Sequence, residues 1–428
     1  MHLSRFVRAI APELVAVRRD LHKHPETGWS EFRTASLVIG ELERLGWDVA
    51  YGPALFHPDF AAGRPAHLDR HMERAVAQGA DPGLVAAMAG GCTGVVATLR
   101  HGAGPVVALR FDMDALDIGE VSDPGHFPAA EGFASVNDGV MHACGHDGHV
   151  AIGLGVARTL AARPDKLRGT VRLIFQPAEE GVRGARAMAE AGVVDDVDYL
   201  VGAHLGFKAA GTGTVVCGTG GFLATCKLDA HFSGKPAHAG AAPHEGKNAL
   251  LAAATSALNL HAIARHGDGA SRINVGVLQA GTGRNVVPAS ACLKLETRGE
   301  TSAINAYMLD EAERVLRAAA AMWDVAVDLR PMGSAAGADS DPELAAAVRR
   351  AAEAMAPISQ IVDRGLMGGS EDFSWFMERV QARGGKATYL MIGADLAAAH
   401  HDCRFDFDEA ALPIGVELLA RVVFDLMP

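Results

Sequence analysis

The chain has 428 residues, of which 49% are hydrophobic and 21% charged, and its formal net charge is −12. This length exceeds what one hydrophobic core usually organises, so two domains are expected, and the composition excludes a disordered chain. The negative charge argues against nucleic acid and against an anionic membrane surface as partners. No apolar run reaches the ~18 to 20 residues that a membrane-spanning helix needs.

The amino-terminal segment and the cysteines indicate a cellular compartment. The segment MHLSRFVRAIAPELVAVRRDLHKH is amphipathic with charges throughout and lacks the apolar core of a signal peptide. The six cysteines are scattered without paired spacing, as in a reduced cytosolic protein. We therefore expect a cytoplasmic location.

The first half of the chain predicts a layered α/β domain. Helical periodicity near the start is followed, after residue 92, by short apolar runs of the kind that form buried strands. These runs are GVVATLR, PVVALRFD, GTVRLIFQP, YLVGAHLG and, much later, ATYLMIG. Residues 56–92 fall outside this pattern as a polar loop with one or two helices, and a surface insertion is favoured over a cap near a site.

The pattern changes near residue 220. From 221 to 331 the predicted elements follow the order β-α-β-β-α-β, which is the split-βαβ or ferredoxin-like arrangement. We therefore predict a discontinuous α/β domain over 1–220 and 332–428, interrupted by an inserted α+β domain over 221–331. In the returning segment, GGSEDF predicts a turn in which Ser370 caps the next helix.

The segment MHACGHDGHVAIG, residues 141–153, concentrates side chains that bind divalent metals. Cys144 and His146 are separated by one glycine just before a predicted helix, so a turn can direct both side chains to one point. Taken alone, the segment is equally typical of a metal site and of a histidine-rich helix start.

Other metal-type ligands follow other predicted strands. In open α/β sheets the ligand site lies beyond the carboxyl ends of the strands. A common metal centre therefore explains these residues better than independent solvated loops do. They are Asp112, Asp114, Glu179, Glu180, His204, His400 and His401.

The adjacent glutamates Glu179 and Glu180 support this interpretation. Two like charges at a buried strand end repel each other unless a cation neutralises them. One carboxylate can then bind the metal while the other faces a water whose pKa the metal lowers from ~15.7 to about 7. The free carboxylate can take a proton from that water at neutral pH.

The ordered motifs identify a family. DMDALD, MHACGHDGH, QPAEEG, AHLG, GKPAHAG, GGSEDF and HHDCRFDFDE span most of the chain, and together they resemble the two-metal aminoacylase and carboxypeptidase family of metallopeptidases, in its amidohydrolase branch. Segment 56–92 and the sequences around these motifs resemble, more narrowly, the p-aminobenzoyl-glutamate hydrolases. The resemblance implies an α/β metallohydrolase domain with an inserted satellite or dimerisation domain.

The resemblance also implies roles in the first domain. Glu179 matches the general base, Asp114 matches a carboxylate that orients a ligand, and Asp112 is not assigned to the metal. His401 is preferred to His400 because the family's histidine stands four residues before the first Phe of FDFDE. The implied metal ligands are Cys144, His146, Glu180, His204 and His401.

Three residues of the second domain match substrate-binding residues of the family. His238 and Asn285 match groups that help to bind the substrate carbonyl, and this histidine can come from the partner subunit of a dimer. Arg298 matches an arginine that holds the substrate carboxylate, for which a planar guanidinium is well suited. Judged alone, Arg298 is more typical of a surface charge and Asn285 of a turn.

The activity implied is metal-dependent hydrolysis of the amide bond of an N-acyl amino acid, in first place p-aminobenzoyl-glutamate to p-aminobenzoate and glutamate. Hippurate-like or auxin-type acyl amino acids, and a non-catalytic metal-binding subunit, remain as alternatives.

Two divalent ions are expected. A thiolate with imidazoles favours Zn(II), whereas the resemblance favours Mn(II). The resemblance further implies a homodimer or a heterodimer with a homologous subunit.

Overall fold

A computed structural model of the protein describes residues 3–427. Its helices are α1 Leu3–Lys23, α2 Phe32–Arg44, α3 Leu68–Ala77, α4 Pro82–Ala87, α5 Phe127–Ala130, α6 His146–Ala161, α7 Ala185–Glu190, α8 Ala249–His261, α9 Ser302–Met322, α10 Pro342–Glu353, α11 Phe373–Ala382 and α12 Ala411–Leu426. Its strands are β1 Asp48–Tyr51, β2 Val95–His101, β3 Val106–Asp112, β4 Gly169–Gln176, β5 Tyr199–Ala210, β6 Thr214–Val216, β7 Thr219–Gly220, β8 Ala224–Ser233, β9 Ser271–Ala280, β10 Ser290–Gly299, β11 Ala326–Ala335, β12 Gln360–Val362, β13 Gly365–Leu366 and β14 Lys386–Ala394.

The chain divides into two compact units. The first contains the chain up to Gly220, Asp339–Met367, and the chain from Asp372 onward. The second contains Gly221–Ala338 and Gly368–Glu371. The first unit resumes at Asp339, seven residues later than the start at 332 expected from sequence, because β11 of the second unit continues through Ala335.

An eight-stranded sheet forms the centre of the first unit, with the order β1-β2-β4-β3-β5-β14-β6-β12. Strands β4, β3, β5 and β14 run parallel, so their carboxyl ends meet at one edge. Every residue of β14 except the first is buried. Such continuous burial requires cover on both faces of the sheet, as the uninterrupted apolar runs predicted.

Helix α6 positions the metal-type ligands at that edge. It packs between the sheet and helices α1 and α12, and nearly all of its residues are buried. Gly153 permits this close packing, because a Cβ atom there would lie 2.8 Å from ring atoms of both Phe111 and Phe175. The absence of side-chain bulk on this helix therefore sets its distance from β3 and β4.

The second unit consists of a four-stranded antiparallel sheet, order β11-β8-β10-β9, with helices α8 and α9. Alternate residues of β8 and β10, among them Leu228, Phe232 and Leu293, lie in the core that the helices cover. The intervening residues of these strands are half-buried or exposed. The chain order of these elements is β8-α8-β9-β10-α9-β11.

Two local expectations were wrong. Strand β5 does not end at His204 but continues to Ala210, since its pairing with β14 persists past that histidine. The cap residue of α11 is Asp372 and not Ser370, whose hydroxyl donates to the carbonyl of Leu223.

Residues 56–92 do contain two helices, α3 and α4. Within residues 3–427 no helix combines the length and the apolar character that a bilayer crossing demands.

Candidate metal centre

Cys144 and His146 are directed to the same place by a turn at the start of α6. Gly145, between them, has φ 88°, in the left-handed region that glycine adopts without strain. Both flanking side chains are buried. The one-glycine spacing therefore acts as the sequence predicted.

Two imidazoles present an unprotonated nitrogen to this place. Nδ1 of His146 donates to the carbonyl of Asp114 at 2.8 Å, and Nδ1 of His204 donates to the carbonyl of Leu205 at 2.7 Å. Because a carbonyl only accepts, each Nδ1 carries the proton and each Nε2 keeps its lone pair. Nε2 of His146 is buried without a hydrogen-bond partner, and that of His204 lies 3.5 Å from Sγ of Cys144.

A carboxylate and a third imidazole complete the cluster. Oε1 of Glu180 is buried without a hydrogen-bond partner and lies 3.3 Å from Nε2 of His401. Ligand atoms within 4.8 Å of one another occur in two sets that share the thiol, and these are Cys144 with His146 and His204, and Cys144 with Glu180 and His401. Orphaned buried atoms together with a thiol, imidazoles and a carboxylate fit divalent cations such as zinc.

The neighbouring histidine, His400, is engaged differently from His401. Its Nε2 donates to the carbonyl of Leu205 at 3.1 Å, and burial lowers its pKa to about 4. His401 has φ 68°, a conformation that turns the chain sharply and separates the two side chains. His401, by contrast, belongs to a group of possible ligands with Cys144 and Glu180.

Asp114 holds the turn that carries both glutamates. Its two carboxylate oxygens accept from the backbone N–H groups of Glu179 at 3.0 Å and Glu180 at 2.9 Å. The preceding residue, Ala178, has φ 53°, and its N–H donates to the carboxylate of Glu31 at 2.8 Å. Burial, with the nearby Asp114, raises the pKa of Glu31 to about 8. Asp114 therefore orients the turn through hydrogen bonds.

Two side chains of the ligand cluster, Cys144 and His401, hold their protons more tightly than usual. The adjacent Cys144 and Glu180 side chains raise the pKa of His401 to about 10. Burial and the negative charge of Glu180 raise the pKa of the Cys144 thiol. A bound cation would displace these protons.

Asp112, with Arg110 and His149, forms a buried network that the sequence did not reveal. Nδ1 of His149 donates to one oxygen of Asp112, and Arg110 donates to the other, both at 2.5 Å. Nε2 of His149 accepts from the backbone N–H of Leu205, next to His204, at 2.9 Å. Both nitrogens of His149 are thus used within the protein. The available signal was the arginine two residues before Asp112, on the same face of β3.

Asp372 ties the glutamate loop to α11. Its carboxylate accepts from the N–H groups of Gly184 and Ala185, at 3.1 and 2.9 Å, and from Nε2 of Gln176 at 2.8 Å. Arg110 lies 3.3 Å from the same carboxylate. Within the GGSEDF motif, Asp372 is therefore the residue that supports the glutamate loop of the first unit.

The predicted substrate-binding residues lie at two ends of the second unit. His238 and Asn285 are exposed on adjacent loops, where the backbone of His238 pairs with Val286 and the N–H of Ala239 donates to the carbonyl of Asn285 at 3.0 Å. Arg298 stands near the other end of β10 and forms an ion pair with Glu296 at 2.9 Å. Ser290, where β10 begins near these loops, and Arg298 are eight residues apart along the strand, roughly 27 Å at ~3.4 Å per residue.

A family model and two relatives resemble the chain. The model of peptidase family M20/M25/M40 matches residues 108–425. The chain is 52% identical to one subunit of the p-aminobenzoyl-glutamate hydrolase of Escherichia coli (strain K12), in an alignment that covers 99% of this chain and 98% of that protein. It is 51% identical to indole-3-acetyl-aspartic acid hydrolase of Enterobacter agglomerans, with 98% and 97% covered.

Two solved structures resemble the fold. An aminobenzoyl-glutamate utilization protein from Klebsiella pneumoniae superimposes with a TM-score of 0.87 at 46% identity, covering 99% of this chain and 98% of that one. A dinuclear metal-binding peptidase of the M20 family from Bacillus subtilis superimposes with a TM-score of 0.67 at 27% identity, covering 98% and 99%.

Proposed function

Because the chain belongs to peptidase family M20/M25/M40 and is a hydrolase of amide bonds, we propose that it cleaves N-acyl amino acids in which an aromatic acyl group is joined to an acidic amino acid. The two relatives are named for p-aminobenzoyl-glutamate and for indole-3-acetyl-aspartate. Both names combine an aromatic acyl group with an acidic amino acid. We take p-aminobenzoyl-glutamate as the first substrate, with p-aminobenzoate and glutamate as products.

The observation that carries this proposal is that the adjacent residues Glu179 and Glu180 are placed for different roles. Oε1 of Glu180 points toward Cys144 and His401 as a ligand atom, and Asp114 fixes the backbone of both glutamates. The side chain of Glu179 lies within the group that His146 and Glu180 also form. A base that adjoins the two proposed ligand sets without belonging to either is the arrangement that assisted hydrolysis of an amide requires.

Two divalent cations are proposed as cofactors. One would be held by Cys144, Glu180 and His401, and the other by Cys144, His146 and His204, with the thiolate shared. Bound there, the cations supply Lewis acidity that polarises a carbonyl and makes water more acidic. The donor set favours Zn(II) on chemical grounds, and Mn(II) is the alternative.

The chain's own residues then carry the proton transfers. Glu179 accepts a proton from water as the water oxygen attacks the acyl carbon. It then donates that proton to the departing amine nitrogen, so the carboxylate of Glu179 is regenerated. Arg298 is proposed to hold a carboxylate of the amino acid, and His238 and Asn285 are proposed to donate to the carbonyl oxygen as negative charge develops there.

The separation of these residues supports a dimeric enzyme. His238 and Arg298 of one chain lie too far apart along β10 to contact the same small substrate. We propose that a second chain supplies His238, with β9 as the contact surface. Strand β9 has a free edge in the described sheet and exposes Val277 and Leu278, by 42% and 44%. The second unit is then a ferredoxin-like dimerisation module.

The partner is proposed to be a copy of this chain or a homologous protein. The Escherichia coli relative is named as one subunit of its hydrolase, which implies a further subunit for that enzyme. A cytoplasmic location is proposed from the cysteines, since none of the six forms a disulfide in the part of the chain that the structure describes.

Hydrolysis by the purified chain tests the proposed function. Initial rates would be measured, with added Zn(II) or Mn(II), on p-aminobenzoyl-glutamate, indole-3-acetyl-aspartate, benzoyl-glycine and acetyl-glutamate. We expect the first two to be cleaved with the highest kcat/KM, and the Glu179→Gln variant to serve as the inactive control. Equal or greater kcat/KM for benzoyl-glycine would refute the substrate class. A metal-loaded chain that cleaves none of the four would support a non-catalytic subunit.

A further inference from the structure

The sheet face of the second unit that the helices leave uncovered carries a second group of metal-type side chains. Asp229 and His231 lie on β8, and Cys292 lies on the adjacent strand β10. All three are half-buried. Their neighbours Leu228, Ala230 and Leu293 point into the core beneath the helices, so strand alternation places the three on the opposite face.

The register of the two strands brings the three ligand atoms together. His231 and Cys292 are directly opposite each other, and Asp229 is two residues from His231 on the same face. The thiol sulfur, an imidazole nitrogen and a carboxylate oxygen all lie within 4.8 Å of one another. Two ligands at i and i+2 on one strand and a third across the ladder form a compact triangle on a rigid support.

The surroundings leave room for a further ligand. A cavity of about 400 Å³ is lined by His231 and Cys292, together with Gln279 and Arg330. Arg330 is paired with Asp328 at 2.6 Å, and Lys294 lies 3.8 Å from Asp229. At 3.8 Å the lysine contact is long, and this lysine is 60% exposed. Arg330, on the adjacent strand β11, is also in register with Asp229, so an ion at the triangle competes with this weak lysine pair and with the charge of Arg330.

We propose that Asp229, His231 and Cys292 form a binding site for a thiophilic divalent cation, of which zinc is the natural choice. Thiolate, imidazole and carboxylate are the ligands that zinc takes in tetrahedral sites, and a thiolate disfavours magnesium and calcium. With three protein ligands, the fourth position faces the cavity. The ion would join the two central strands of this sheet and stabilise the folded chain by binding to it alone.

This site is separate from the proposed catalytic cations, because its three residues belong to the second unit and the catalytic ligands belong to the first. Its failure would leave the proposed hydrolase activity untouched. Conversely, a chain that binds this extra ion but hydrolyses none of the substrates would contradict only the proposed function.

Zinc content of the full-length chain tests the proposal. The wild-type chain and its Cys292→Ser and Asp229→Asn variants would be saturated with Zn(II), freed of excess by gel filtration, and analysed for zinc per chain. The control is Cys226→Ser, since Cys226 lies on the same strand β8 but outside the ligand group. We expect both test variants to hold one zinc fewer per chain than the wild type and the control.

Cobalt provides a second readout that depends on the thiolate itself. A cobalt-loaded chain is expected to show thiolate-to-metal charge transfer at two bonds from the shared Cys144 and at one from Cys292, so Cys292→Ser should lose roughly a third of this absorbance while hydrolysis continues at the wild-type rate. A Cys292→Ser variant with the zinc content and cobalt spectrum of the wild type would overturn the proposal. Loss of zinc from Cys226→Ser as well would overturn it too, because the loss would then be unspecific.

Discussion

The imidazole of His149 donates through Nδ1 to Asp112 at 2.5 Å, and this contact joins the helix that begins at His146 to the carboxyl end of β3. Asp112 also accepts from Arg110, whose positive charge balances the carboxylate. The other nitrogen of His149 accepts the N–H of Leu205. The pair therefore supports the segment that carries His204, and neither residue needs a metal to be satisfied.

His149→Gln is expected to weaken metal binding without unfolding the chain. The substitution leaves Asp112 without its imidazole donor and loosens the segment around His204, so the affinity for the cation held by His204 should fall by about 10- to 100-fold. Zinc affinity would be measured by competition with a chelator of known affinity. His24→Gln, a half-buried histidine that contacts Asp20, is the control. Wild-type zinc affinity for His149→Gln would contradict the role.

Substitution of the two adjacent glutamates should separate catalysis from metal binding. Glu179→Gln removes the proposed base and should lower kcat by about 10²- to 10⁴-fold, while zinc content stays at the wild-type value. Glu180→Gln removes a proposed ligand and should lose zinc together with activity. Elemental analysis and initial rates on the same preparations measure both effects. Near-normal turnover of Glu179→Gln would reject its assignment as the base.

Metal affinity should rise steeply with pH. Without metal, the pKa of His401 is raised to about 10 and that of the Cys144 thiol is raised above its ordinary value, so both groups hold their protons at neutral pH. A cation must displace these protons. The apparent affinity should therefore increase by at least about tenfold per pH unit between pH ~6.5 and ~8.5. Calorimetry in buffers of different ionisation enthalpy measures the protons released. Release of no protons at pH ~7 would contradict the protonation states.

A buried ion-pair network should make stability sensitive to acid. Burial opposes ionisation of Asp147, but Arg18 at 2.9 Å and His22 at 2.8 Å outweigh it and hold the pKa of Asp147 well below its usual range. Stability from this depressed pKa is present above the unfolded value of ~3.9 and is lost as the pH falls through the folded value. His22 has a raised pKa, so its contribution is present below pH ~6.5 and is lost as the pH rises through the folded value.

Asp147→Asn should therefore lower the free energy of unfolding by about 3–5 kcal/mol at neutral pH, because Arg18 stays buried and loses one of its partners. Urea unfolding of the metal-free chain measures this change. Arg349→Gln is the control, since its carboxylate partners are exposed, and it should leave the unfolding midpoint nearly unchanged. Equal midpoints for the two variants would show that the network contributes little.

The proposed exchange of His238 between chains predicts complementation. His238→Ala and Arg298→Ala homodimers should each be nearly inactive. In a dimer of one chain of each kind, one site has both residues intact and the other has neither. Random pairing after co-expression should then restore about a quarter of wild-type activity. Activity that remains at the level of the separate variants would place both residues at the site of their own chain.

The parts of the site that local motifs determine could be predicted from the sequence. The turn of Cys144, Gly145 and His146, and the strand before Glu179, depend on spacing and on apolar runs that neighbouring residues specify. The meeting of the strand ends followed from the rule for parallel sheets. These short-range features are enough to identify candidate ligands in an unaligned sequence.

The supporting contacts could not be predicted, because they join residues far apart in the chain. Arg110 and Asp372 are separated by 262 positions, and no periodicity connects them. The continuation of β5 past His204 depends on pairing with β14, which is equally remote. Ser370 was a reasonable cap by residue type, yet the backbone places Asp372 at the start of α11. Tertiary contacts decided these positions over local preference.

Strand β14 lies between β5 and β6 in the interior of the large sheet, although it is among the last strands of the chain. During synthesis the ribosome must pass residue 394 before this gap can be filled, and residue 401 before the last proposed ligand exists. The second unit, by contrast, has all four of its strands once residue 335 is made. The nascent polypeptide thus contains every strand of its second unit before the proposed metal centre can be assembled.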